Sequence, residues 1–96
     1  MARYDYEIVP RAAGKGWRLK LLEDGQEVGG GSFPVDAQPL PGIDWWNGLA
    51  ELERAHWLEV AGSAVAADAW SAFLLAEAHA DARAQAEEWL DSRGEP

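Results

Sequence analysis

Glu53 and His56 stand three residues apart in Glu53-Arg54-Ala55-His56. On a helix this spacing puts a carboxylate and an imidazole on one face, and di-iron bundles use two such pairs with further carboxylates. The chain holds one copy. Its other histidine, His79, has Ala76 rather than an acid three residues before it and is followed by Asp81. These ligands are too few for a metal centre, and both histidines read as half-buried side chains of amphipathic helices. None of Ser32, Ser63, Ser71 and Ser92 lies in Gly-x-Ser-x-Gly or another activating context. Glu51 with Glu53, and Glu87 with Glu88, are carboxylate pairs in a chain with 17 acids, where pairing carries little information. A glycosidase-like pair needs a cleft, for which a small domain has little room. Gly29-Gly30-Gly31 is not followed by the Lys-Ser/Thr of a phosphate loop. With no cysteine there are no disulfides, thiol nucleophiles or thiolate metal sites. The expectation is a protein that is not an enzyme and takes no cofactor or metal.

Three other groups of residues point to binding. The first is the six tryptophans, Trp17, Trp45, Trp46, Trp57, Trp70 and Trp89. Each buries on the order of 150–250 Å², more in total than a small core readily hides. Adjacent Trp45 and Trp46 project about 100° apart on a helix, so both cannot face inward. They are candidates for an aromatic contact with a partner, or for a clasp holding a linker to the sheet. The second group is Glu77, Asp81, Glu88 and Asp91, which fall near one helix face with Gln85 between them. They form either a solvated face or an acidic row that docks on a basic groove. The third is the basic N-terminal hairpin, with Arg3, Arg18 and Lys20 near Arg11 and Lys15. It offers a weak nucleic-acid surface, or cations that neutralise the acidic helices.

The charge distribution favours the second group. Residues 1–22 carry five cations against Asp5 and Glu7, a net +3, whereas residues 23–96 carry three arginines against fifteen acids, a net −12; the whole chain is −9. Such a field disfavours DNA, RNA and anionic membranes and favours basic protein surfaces, although plain solubility would produce the same balance.

These residues must be positioned by a small set of elements. Ninety-six residues make one domain with one modest core. No apolar run approaches the ~18 residues of a membrane span, and the N-terminus lacks the apolar stretch of a signal peptide, so a cytoplasmic protein is expected. Tyr4, Tyr6 and Ile8 alternate with Arg3, Asp5 and Glu7 as in a half-buried strand that Pro10 ends. Trp17, Leu19 and Leu21 alternate again, with Leu22 on the outer face. Asp24-Gly25 predicts a type I′ hairpin turn. A third strand follows from Glu27 to Phe33, in which the glycines signal a bulge or the close approach of another backbone. The inner face of the sheet is then Tyr4, Tyr6, Ile8, Trp17, Leu19, Leu21, Val28 and Phe33.

Pro34, Pro39 and Pro41 mark residues 35–43 as a linker. Asp44 is placed to cap a helix beginning at Trp45-Trp46, with the main helix from about Leu49 and the segment ending at Gly62. Its stripe is Leu49, Leu52, His56 and Val60. Ser63 is placed to cap a long alanine-rich helix over 63–93, since eleven alanines fall in residues 64–86 without Gly or Pro. Its face is Ala72, Leu75, His79, Ala82, Ala86 and Trp89. The fold class is α+β: a three-stranded antiparallel meander, then two helices packed on one sheet face.

The block Gly16-Trp17-Arg18-Leu19-Lys20-Leu21-Leu22-Glu23-Asp24-Gly25-Gln26-Glu27-Val28-Gly29-Gly30-Gly31-Ser32-Phe33-Pro34 and the closing helix with Glu87-Glu88-Trp89-Leu90 resemble small acidic proteins of phages and conjugative elements. Together they cover about half the chain and hold no catalytic motif. The strand–hairpin–Phe-Pro pattern also resembles the antitoxin half of Hic-type toxin–antitoxin pairs. It departs from that pattern in the Pro- and Trp-rich middle segment, and no DNA-binding helix-turn-helix follows. The mobile-element resemblance implies action on host machinery, with small anti-CRISPR proteins as one such class. The leading expectation is a non-enzymatic interaction protein, an inhibitor of host machinery, that binds a basic protein partner. A homodimer and a nucleic-acid binder through the hairpin stand as alternatives.

Overall fold

The computed structural model describes residues 2–94. Strand β1 (Tyr4–Pro10), β2 (Gly16–Glu23) and β3 (Gln26–Pro34) form an antiparallel sheet in that order, followed by helices α1 (Pro39–Asn47), α2 (Glu51–Ala61) and α3 (Ala66–Gly94). The class is α+β, with three helices rather than two.

The hairpin forms where the local chemistry requires it. Asp24 and Gly25 have φ of 52° and 83°, the positive pair that a type I′ turn needs. The Asp24 carboxylate accepts the Arg3 N–H at 2.8 Å, and the Asp24 N–H donates to the Arg3 carbonyl at 2.8 Å, so the turn also holds the start of β1. Both expectations for the glycine run hold. The pairing shifts between Leu21↔Gly29 and Leu22↔Glu27, leaving Val28 as the extra residue of a bulge. Gly30 has φ of 144°, and a Cβ there would collide with the Leu19 carbonyl oxygen. Val28 stands an odd number of residues from Phe33, on the opposite face by strand alternation, and is exposed rather than part of the inner face expected for it.

Among the described residues that inner face is covered by α3. Leu19, Leu21, Ala82 and Ala86 are buried together, with Tyr6, Ile8, Phe33 and Trp89 packed around them. Alanine lets the helix axis come close to the sheet, so few large side chains close this core. The Trp17 indole N–H donates to the Leu75 carbonyl at 2.8 Å, and its ring meets His79 edge-on at 4.9 Å. At the far end Trp89 meets Tyr4 edge-on at 5.6 Å. From these contacts α3 runs along β2 in the same direction.

Helices α1 and α2 do not lie on the sheet as expected. They pack on the N-terminal third of α3, which extends beyond it. Twenty-nine helical residues rise about 43 Å, and the molecule accordingly measures 51 × 25 × 21 Å with a radius of gyration of 16.4 Å, against about 12–13 Å for a compact chain of this size.

The linker expected over 35–43 contains the start of a helix. Pro39 occupies the first turn of α1, where the fixed φ of proline is pre-organised and a missing N–H leaves nothing unsatisfied. Asp44 is therefore inside α1 and caps nothing; its carbonyl accepts the Gly48 N–H at 3.2 Å as the helix ends. α2 begins after Ala50, whose N–H is taken by Glu53 Oε1 at 3.2 Å, half of a capping box because an alanine methyl has nothing to return. Gly62 ends α2 in the left-handed region, as expected, with its N–H on the Glu59 carbonyl at 3.1 Å. Ser63 Oγ accepts the Val65 N–H at 3.0 Å and donates to Asp68 at 2.7 Å, fixing the corner at which α2 and α3 meet at 80°. No single helix among the described residues is long and apolar enough to cross a membrane.

Candidate functional site

The end of the molecule formed by α1, α2 and the first turns of α3 is built on rings. Trp45 lies 4.9 Å from Phe73, 5.3 Å from Trp70, 6.2 Å from Trp46 and 6.3 Å from Trp57, centroid to centroid. Trp57 meets Phe73 edge-on at 5.2 Å, and Trp70 stacks on Phe73 at 5.9 Å. All six tryptophans are half-buried, none fully enclosed and none fully exposed. Trp45 therefore serves as the hub of an aromatic cluster rather than as a free contact. Trp46, its neighbour, carries the Arg54 guanidinium 5.3 Å above its ring, and Arg54 Nε–H donates to the Trp46 carbonyl at 3.1 Å.

This cluster leaves aliphatic side chains outside. Leu40 is 76% exposed and Leu52 85%, and Ile43, Val60 and Val65 are each more than half exposed. Of the stripe expected to be buried, Leu52, His56 and Val60 face solvent and Leu49, just before α2, is half-buried; Arg54, Trp57, Leu58 and Ala61 on the opposite face of α2 pack inward. The reason is area. α2 is apolar on two faces, and the face with the indole covers more carbon against Phe73 and Trp45. Spacing alone ranks the two faces equally; ring size is the signal that separates them. The same holds for α1, where Gly42, Trp45 and Trp46 turn inward and Leu40 and Ile43 outward.

Between α1 and α3 lies a depression of about 380 Å³ walled by Ala37, Pro39, Ile43, Trp46, Ala67 and Trp70, with Asp68 at its rim. Gly42 permits it. A Cβ at that position would stand 2.6 Å from Trp70 Cδ1, so only a bare backbone lets the indole lie across α1. The Trp70 N–H is anchored on the Gln38 carbonyl at 3.0 Å. Residues 36–68 carry six carboxylates, Asp36, Asp44, Glu51, Glu53, Glu59 and Asp68, against Arg54 alone, and Arg54 is committed to Trp46.

Glu77, Asp81, Glu88 and Asp91 are all exposed along α3. Glu77 and Asp81 border a depression with Pro34, Val35 and Asp36, and Glu88 borders another with Leu21 and Gln85. Glu77 and Asp81 thus stand beside the end of β3, and Glu88, two turns on from Asp81, falls on the same side of the helix, while Asp91 stands further round it.

The basic residues are brought together only in part. Arg18 and Lys20 lie with Arg11 around an open depression of about 710 Å³ on the outer sheet face. Arg18 is paired with Glu27 at 3.2 Å. Arg3 is at the other end of the sheet, beside Asp24, because the antiparallel register sets Val9 and not Arg3 against Arg18. This separates residues the linear reading had grouped.

Among the described residues no three His, Asp or Glu side chains converge in a way that could hold a metal ion. His56 lies edge-on to Trp57 at 4.9 Å, and His79 to Trp17. One phenol is perturbed. Hydrogen bonding to the Glu23 carboxylate, with partial burial and the Glu23 charge adding to it, raises Tyr4 above its ordinary value of 10.0. No family model matches the chain, and no curated protein or solved structure matches it either.

Proposed function

We propose that the protein is a non-enzymatic docking module whose α1–α2 end grips a basic protein partner. The observation that supports this reading is the exposure of Leu40, Ile43, Leu52, Val60 and Val65 at one end, in a segment with six carboxylates and a single, already engaged arginine. Exposed aliphatic side chains grouped in this way mark interaction surfaces. The Trp46–Trp70 depression accepts an apolar anchor, and the surrounding acids select cationic neighbours and repel nucleic acid. In keeping with the resemblance of residues 16–34 and the closing helix to proteins of phages and conjugative elements, the partner belongs to host machinery that handles nucleic acid, and the module acts as its inhibitor. The site of gripping differs from the first expectation: Trp46 and the aliphatic residues contact the partner, and Trp45 holds the surface in shape.

Photo-crosslinking from position 43, with position 15 as control, identifies the partner and tests the surface. Ile43→Asp and Leu52→Asp each weaken capture at least tenfold with unchanged circular dichroism, and raising salt weakens it too. Capture that ignores both substitutions overturns the reading. So does a stable dimer in sedimentation that Leu52→Asp dissociates, since the same face would then be occupied by a second copy.

A further inference from the structure

We infer that the free edge of β3 takes an extended, lysine- or arginine-rich segment of another protein as a fourth strand. This goes beyond the docking end just described and uses a different face of the molecule. β3 pairs with β2 on one side only. Gln26–Gly30 are exposed, and among the described residues no backbone bonds to the far side of the strand. An edge strand turns alternate N–H and C=O groups outward, and proteins ordinarily blunt it with charge, proline, a bulge or a covering loop. β1, at the opposite edge, carries Asp5 and Glu7 and ends at Pro10. β3 has no charge and no proline from Val28 to Phe33, its bulge is confined to Val28 at the start of that stretch, and Gly29–Gly31 put no side chain in the way of an incoming backbone.

Charge decides the occupant. α3 runs alongside β3 and carries Glu77, Asp81 and Glu88 along one side, the first two beside the strand's C-terminal end. The first two share a depression with Pro34 and Asp36. Glu88 shares the next with Leu21, the β2 residue paired with Gly29. Residues four apart on a helix are about 6 Å apart along its axis, and same-side residues of a strand recur about every 6.6 Å. Cationic side chains at every second position of an added strand therefore meet the Glu77–Asp81 pair nearly in step. The two described cations of α3 are engaged elsewhere: Arg83 is paired with Glu87 further round the helix, and Arg93 lies over Trp89 toward Tyr4. Backbone pairing supplies the attachment and the acids select the sequence, the division of labour in strand addition generally.

The test is an NMR titration of the full chain with a nine-residue peptide of alternating lysine and valine at low salt. The Gly29, Gly30 and Gly31 amides are expected to shift and gain exchange protection. The Glu77→Lys/Asp81→Lys variant binds at least tenfold more weakly, and so does the same peptide with a fully N-methylated backbone, which keeps the charge and loses the pairing. Leu52→Asp leaves the affinity unchanged, which separates this site from the α1–α2 surface. Equal binding of the N-methylated peptide, shifts confined to residues 36–68, or pairing of β3 with a second copy in the absence of peptide each overturns the inference.

Discussion

The two ends of α3 solve the problem of burial in opposite ways. At the sheet end, Leu19 is 1% exposed and Ala82 and Ala86 are fully covered, because small helix residues let a flat sheet and a helix meet closely. At the other end, four indoles and Phe73 pack on one another without any of them being fully enclosed. Three helices of unequal length cannot surround rings of that size, and the aliphatic faces of α1 and α2 stay outside. The contrast shows that bulk of apolar residues is not the same as a core. A few residues against a sheet close better than many rings against short helices, and the surplus becomes surface.

The largest effect is expected at the sheet end. Leu19→Ala costs about 2–5 kcal/mol in urea unfolding, the range for truncating a fully buried aliphatic side chain; a loss below that would mean the sheet core collapses to fill the gap. Next comes Gly42→Ala at the aromatic end. Its Cβ would meet three Trp70 ring atoms within 2.9 Å, so the indole must move, at about 1–3 kcal/mol, with a shift in tryptophan emission. Unchanged emission would show that the ring cluster yields without loss. Leu52→Ser should change stability by no more than about 0.5 kcal/mol, while binding of an apolar dye falls. A large destabilisation would mean that this face is buried after all.

The smallest effect is in alkaline titration. Because Glu23 raises the folded-state pKa of Tyr4, the folded state holds that proton more tightly than the unfolded chain. The stabilisation it contributes is present below the ordinary value of 10.0 and is lost as pH rises from there through the raised folded value. Ultraviolet titration should show one phenol ionising late, and Glu23→Gln should bring it earlier; coincident titration of Tyr4 and Tyr6 in the parent protein would contradict the Glu23 contact.

How much of this was legible in the residues depends on the range of the interaction concerned. The Asp24-Gly25 turn, the glycine bulge, the left-handed Gly62 and the alanine helix are settled within a few neighbours, by φ preference and helix propensity, and each could be read from its own segment. The acidic row on α3 was legible for the same reason, since a long helix sets the angle between its residues. The first turns of α1 were missed because prolines that interrupt a helix also start one, and the difference lies in whether the following turn has something to pack on, here Trp70. Arg3 was grouped with Arg18 because both take outward positions of an alternating strand pattern, and only the register sends them to opposite ends.

Local chemistry, then, determined the sheet, the long helix and the sign of the charge. Tertiary structure decided which faces of α1 and α2 are surface. Both faces of each helix are apolar, so patterning carries no preference between them, and the choice falls to whichever side covers more area once α3 has taken its place along the sheet.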